Sequence, residues 1–221
     1  MALKTFSYQL EKHYYSQQWP TEVEPYLHLE PYLRCWLDPQ AVFGGKWVLD
    51  VGAGECTYTR LIAERFLSKK VVACELFTER MLPAARTNRT SHLRFVAGDA
   101  FQLPFGDSSF DVVFASLVLS QLPNLSAALS ELKRVLRPHG IYVGWEPNPF
   151  NPVIAYRYFF NPHSPNQYLF WPWLIRPAFE AEGFHLTMRY FYAKLPRVGN
   201  RFLGTCMGMY AGLKTKLPAN D

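Results

Sequence analysis

The stretch Val48-Leu49-Asp50-Val51-Gly52-Ala53-Gly54-Glu55-Cys56-Thr57 begins apolar, breaks into glycines and then turns polar. Val48, Leu49 and Val51 read as a strand buried on both faces, as in a parallel sheet. Gly52 and Gly54 permit a tight turn and let a ligand approach the backbone with no Cβ in the way. From Thr57 a helical pattern begins, with Tyr58, Leu61, Ile62 and Phe66 on one face. Strand, glycine turn and helix together lay out a nucleotide-type site at the carboxyl edge of an open α/β sheet, with helix N–H groups aimed at the ligand. The glycine pattern alone also fits an ordinary βα turn, because the third glycine of a dinucleotide fingerprint is replaced by Thr57.

Two downstream strands narrow the choice. Lys70-Val71-Val72-Ala73-Cys74-Glu75 ends in a carboxylate, which at that place can accept hydrogen bonds from both hydroxyls of a ribose. Leu93-Arg94-Phe95-Val96 runs into Gly98-Asp99-Ala100, where Asp99 can accept from the exocyclic amine of an adenine. Each acid alone reads as a solvated strand-end charge. Marks on three consecutive strand ends, in order, read as one adenosyl site.

On these residues the chain resembles class I S-adenosylmethionine-dependent methyltransferases of the type 11 kind. The resemblance covers about residues 46 to 146. It rests also on Leu103-Pro104-Phe105, on Phe110-Asp111-Val112-Val113-Phe114-Ala115-Ser116, and on the run from Glu131 to Gly140. It implies a Rossmann-like α/β fold of the seven-stranded methyltransferase type, strand order 3-2-1-4-5 and then the carboxyl-terminal strands, with helices on both faces. It implies S-adenosyl-L-methionine as cofactor. Asp50, Gly52, Ala53 and Gly54 would hold the methionine part, Glu75 with Leu76 the ribose, and Asp99 with Ala100 the adenine. Ser116 would stand where cofactor and acceptor meet. The family often has a third glycine where this chain has Cys56, and a histidine where it has Ser120 or Gln121.

Composition sets bounds. A chain of 221 residues, 49% hydrophobic, suits one domain with a sizeable core. The net charge of +5 is mild, and without dense basic clusters a long nucleic acid is not expected as partner. Cys35, Cys56, Cys74 and Cys206 show no paired spacing, so no metal knuckle or redox pair is expected and a cytoplasmic setting fits. No stretch approaches a membrane span.

The flanks are aromatic. Residues 1–45 read as a helical segment, either a lid over the cofactor or a packing element, ahead of a domain over 46–221. One helix is expected from Glu24 to Leu37, kinked or split at Pro31, and an arginine-rich one from Phe77 to Thr90, its charges on a solvated face. After the fifth strand, Ile141 to Glu146, an aromatic, proline-rich insertion over about 147–171 is expected to shape an acceptor pocket. Tyr190-Phe191-Tyr192-Ala193-Lys194 spells the Tyr-x-x-x-Lys of short-chain reductases, but on a strand that pair lies about 13 Å apart. Residues 202–213 are uncharged and precede Lys214 and Lys216. They read as a terminal strand or helix on the core, or as a short helix resting on a membrane surface.

The expected reaction is transfer of a sulfonium methyl group to a small or lipid-like acceptor, at oxygen or nitrogen. Candidate bases are His13, Glu146 and His163. No metal is expected. A binding module that transfers nothing and a nicotinamide oxidoreductase are the rival readings.

Overall fold

A computed structural model describes residues 30–34, 36–160, 171–191 and 206–213. Two short helices, α1 (Glu30–Arg34) and α2 (Pro39–Phe43), lead into β1 (Trp47–Val51), α3 (Thr57–Arg65) and β2 (Lys70–Glu75). Then come α4 (Leu82–Thr87), β3 (Leu93–Ala97), β4 (Phe110–Ser116), α5 (Leu125–Val135) and β5 (Leu136–Pro147). The rest is α6 (Pro152–Phe160), α7 (Pro172–Ala181), β6 (Phe184–Phe191) and β7 (Cys206–Leu213).

The strands form one seven-stranded sheet, ordered β3-β2-β1-β4-β5-β7-β6. The first five are parallel. β7 enters antiparallel between β5 and β6. The expected order over the first five strands is therefore the observed one. β1 lies centrally with β4 and β2 on either side, so the loops after β3, β2, β1 and β4 open at one edge of the sheet.

Side-chain alternation sorts the core into two layers. Leu49, Val51, Val113, Ala115 and Tyr142 face α5 and α7, whose Leu129, Leu132, Ile175 and Phe179 are fully buried or nearly so. Val48, Val71, Val112, Phe114 and Trp145 face the other way, onto Leu61, Ile62 and Phe66 of α3 and its flank. Fully burying such a side chain contributes about 1.5–3 kcal/mol. Leu33, Trp36 and Phe43 belong to this second layer, and Trp36 stacks on Phe191 and meets Trp145 edge-on. Residues 33–43 thus include packing elements of the sheet; residues 1–29 of the expected lid lie outside the described residues.

Two expectations need correction. The helix expected over 77–90 is a 3-10 turn, Thr78–Arg80, followed by the six residues of α4; Pro83 sits in the first turn of α4, where its missing N–H costs nothing. β5 begins at Leu136, five residues early: Phe110 pairs with Leu136, the register shifts, and the regular part starts where Val112 meets Ile141. His139 takes a positive φ of 65° within that irregular stretch. Of the readings open for 202–213, residues 206–213 take that of a strand on the core. They are an inner strand, with Met207, Met209 and Ala211 buried. Within the aromatic insertion, residues 152–160 are helical, and 161–170 lie outside the described residues, as does Lys194.

Polar residues between β3 and β5 act as ties. Glu131 Oε2 accepts the Leu103 N–H at 3.0 Å, and Arg134 donates to Glu131, to Asp107 and to the carbonyls of Leu103 and Phe105. This pair on α5 fastens the 103–107 segment. Asp111 likewise joins the Trp47 N–H to Arg137.

Candidate functional site

The turn after β1 is built by handedness. Gly52 and Gly54 have φ of 66° and 53°, and Cys56, at the start of α3, has φ of 61°. A side chain at the first two is strained whatever room surrounds it. There is little room in any case. A Cβ on Gly52 would lie 2.5 Å from Val118 Cγ2, and one on Gly54 would lie 2.7 Å from Arg80 Nη2. The turn is pinned to β2 by the Gly52 and Ala53 N–H groups, both donating to the Cys74 carbonyl at 2.8 and 3.1 Å.

Asp50 and Glu75 stand under this turn, both buried. Thr59 Oγ1 on α3 donates to Asp50 Oδ2 at 2.5 Å. Burial pushes the Asp50 carboxyl up to about 7; the Thr59 hydrogen bond opposes the shift and the nearby Glu75 charge adds to it. Glu75 is tied to the backbone on both oxygens: Oε2 accepts the Gly54 N–H at 2.8 Å, and Oε1 the Phe77 N–H at 3.0 Å. A carboxylate offers about four lone-pair sites, so acceptor capacity remains for a ribose. Arg80 Nη1 stands 3.9 Å from Oε2.

Asp99 follows β3, half-buried. Its Oδ1 accepts the Phe101 N–H at 2.9 Å, and its carbonyl accepts the Gln102 N–H at 3.0 Å. Ala53, Ala100 and Ser116 are half-buried and Leu76 is 40% exposed. The expected cofactor residues are therefore gathered at the ends of four adjacent strands. Asp50 is the exception in kind, since its side chain is committed to Thr59 beneath the turn.

The expected bases fare differently. His13 and His163 lie outside the described residues. Glu146 is wholly buried, which does not suit a base open to an acceptor. Its Oε1 accepts the N–H groups of Val118 and Leu119 at 3.1 and 2.8 Å. Burial pushes its carboxyl up to about 7, against the pull of Ser120 and of these backbone donors. Among the described residues no group of His, Cys, Asp or Glu is placed to hold a metal ion.

Sequence reasoning missed three residues at this edge. Arg80 was expected on a solvated helix face; its side chain is instead only 18% exposed and lies over Gly54. Thr59 carried a faint signal, a hydroxyl one turn into the helix after a strand acid. Val118 carried none, since its role comes from the fold of the β4 loop.

Residues 49–144 match the family model described as a methyltransferase domain. The chain is 39% identical over 97 residues to a malonyl-[acyl-carrier protein] O-methyltransferase of Serratia marcescens, covering 44% of this chain and 36% of the relative. It is 40% identical over 107 residues to a demethylmenaquinone methyltransferase of Beutenbergia cavernae, covering 48% and 43%. The chain thus spans less than half the length of these curated relatives. Among solved structures, an S-adenosylmethionine-dependent methyltransferase of Mesorhizobium loti superposes with a TM-score of 0.66 at 15% identity, covering 83% of this chain and 97% of that one. One from Archaeoglobus fulgidus gives 0.64 at 17% identity, covering 85% and 92%. These likenesses are of fold. Residues 49–144, less than half of the chain, match a methyltransferase domain, and the sheet that contains them has the fold of S-adenosylmethionine-dependent methyltransferases.

Proposed function

We propose that this chain binds S-adenosylmethionine at the carboxyl ends of β1 to β4 and transfers its methyl group to a small or lipid-like acceptor. The observation that carries the reading is the joint placement of Gly54 and Glu75: one carboxylate fixes the glycine turn while keeping acceptor capacity for a ribose. Asp99, one strand further on, suits the adenine amine. Arg80, over Gly54, offers a cation to the carboxylate of the methionine part.

When bound, the cofactor would supply an activated methyl group on a sulfonium, so the protein's task is alignment and exclusion of water. In such a transfer the acceptor's lone pair would make the new bond to carbon, and the electrons of the broken carbon–sulfur bond would stay on sulfur. A protonated acceptor must also lose a proton, and Glu146 is too enclosed to take it directly. His13 and His163, outside the described residues, remain our candidates for that step.

The acceptor class rests on two supports. The relatives' names concern malonyl-acyl carrier protein and demethylmenaquinone. The site's flank carries an aromatic group in which Phe150 meets Trp171, Trp173 and Tyr190, with Trp173 55% exposed. That flank suits a molecule with apolar area. The test is incubation with S-adenosylmethionine and cell extract, read by mass spectrometry. A new species heavier by one methylene, matched by formation of S-adenosylhomocysteine, is expected. Cofactor binding with no turnover would mark a module that binds without transferring. Binding of NADH with no binding of S-adenosylhomocysteine would contradict the reading.

A further inference from the structure

The end of β5 carries a carboxylate that the binding of cofactor does not use. Glu146 is fully buried, and no ion pair reaches it among the described residues. Such a group is costly unless its hydrogen bonds repay the desolvation. Oε1 is repaid by Val118 and Leu119. Among the described residues Oε2 has no partner at full hydrogen-bond geometry, and neither has the buried Ser120 Oγ, although that hydroxyl lies near enough to favour the ionised form.

The loop it grips has an unusual shape. Leu117 takes a φ of 59°, rare for a non-glycine residue, and its N–H is held by the Trp145 carbonyl at 2.9 Å. The Gln121 side chain donates to the Leu117 carbonyl, and a 3-10 turn, Leu119–Gln121, follows. The turn leaves Leu117 43% exposed and sets the Val118 methyl groups against Gly52. Three strand ends thus meet through one carboxylate: β5 supplies it, the β4 loop is held by it, and Val118 carries that hold to the glycine turn of β1.

We propose that Glu146 is a positioning residue, whose carboxylate fixes the 117–121 turn and thereby the seat of Val118 on Gly52, where cofactor and acceptor would meet. This rests on the functional reading above. Its action is through Val118 and not on the substrate. The titratable group that feels it is Tyr142, whose phenol is pushed upward by burial and by the Glu146 charge; Ser120 is the polar side chain beside it.

The test compares wild type with E146A and E146Q. It reads thermal stability, amide exchange over 117–121, and the dissociation constant for S-adenosylhomocysteine by calorimetry. E146A should raise exchange over 117–121 by about tenfold or more and weaken S-adenosylhomocysteine binding by about fivefold or more. E146Q keeps an oxygen acceptor and should recover most of both. Wild type should gain protection of Val118 and Leu119 as pH falls from about 8 to about 6, after correction for intrinsic exchange, because buried Glu146 holds a proton that opening the turn would release, while E146Q stays flat. If E146A does not fold, the E146Q pH comparison decides alone. Unchanged protection, or a loosened turn with unchanged affinity, would overturn the proposal. Failure of wild type itself to bind S-adenosylhomocysteine would instead overturn the functional reading on which it rests, and is told apart because no variant is needed to see it.

Discussion

Glu75 Oε2 accepts the backbone N–H of Gly54 at 2.8 Å, and so ties the end of β2 to the turn after β1. The same carboxylate that would hold a ribose also shapes the loop that would hold the methionine part. The two jobs can be separated by substitution. E75A removes the acceptor of two backbone N–H groups and should lower the melting temperature as well as affinity. E75Q keeps an oxygen for Gly54 and should fold nearly as well. Its S-adenosylhomocysteine affinity should still fall by about 1–3 kcal/mol, measured by calorimetry. Wild-type affinity in both variants would show that Glu75 touches no ligand.

Gly52 should resist any side chain. Its positive φ opposes alanine, and so, independently, does the Val118 methyl group, which lies 2.5 Å from where a Cβ would stand. Val118 is β-branched and turns poorly about χ1. G52A should therefore lose about 2 kcal/mol or more in denaturant unfolding. Adding V118A should return the steric part and leave the backbone part. Equal instability of the single and double variants would show that the contact is not what opposes the side chain.

Stability should depend on Asp50 in a pH-specific way. Its carboxyl is raised to about 7 in the folded chain from an ordinary 3.8, so the folded state holds the proton more tightly. The stabilisation linked to that proton is full below the ordinary value and is lost as pH rises through about 7. Glu146 acts in the same sense. Glu30, Asp111 and Glu131 are held below their ordinary values; their contribution is present at neutral pH and is lost in acid, so it does not mask the effect between about pH 5 and pH 8. Melting curves of wild type and D50N should show wild type losing ground to D50N across that interval. A constant difference would contradict the burial account.

Arg134 should matter more to the 103–107 segment than to the whole fold. Its guanidinium holds two carbonyls of that segment and aligns Glu131, which holds the Leu103 N–H. R134A should cost about 2 kcal/mol and raise amide exchange chiefly at 103–107. Uniform loosening of the sheet would mean the tie is not local.

The framework was largely legible in the sequence because its signals are local. Unbroken apolar runs such as Phe110 to Ser116 read as inner strands, and each glycine or acid at a strand end falls where the parallel order puts a loop. What was open or misread has non-local causes. A run free of charge over 206–213 is compatible with helix or strand; its pairing with β5 and β6, distant in sequence, decides it. Arg80 looked like one charge of a solvated helix, but Pro83 restarts the helix and leaves Arg80 in a turn folded back over Gly54. Glu146 read as a free base because the sequence cannot show that the β4 loop brings two N–H groups to it.

Whether the loops after β1, β2 and β3 clasp one adenosyl ligand is tested most directly by a two-dimensional amide NMR titration of the full chain with S-adenosylhomocysteine. Saturable shifts should centre on Gly52, Gly54, Leu76, Asp99 and Ala100, and D99A should weaken the titration by about 1–3 kcal/mol. Shifts confined to the amino ends of the strands, or no shifts at all, would contradict it.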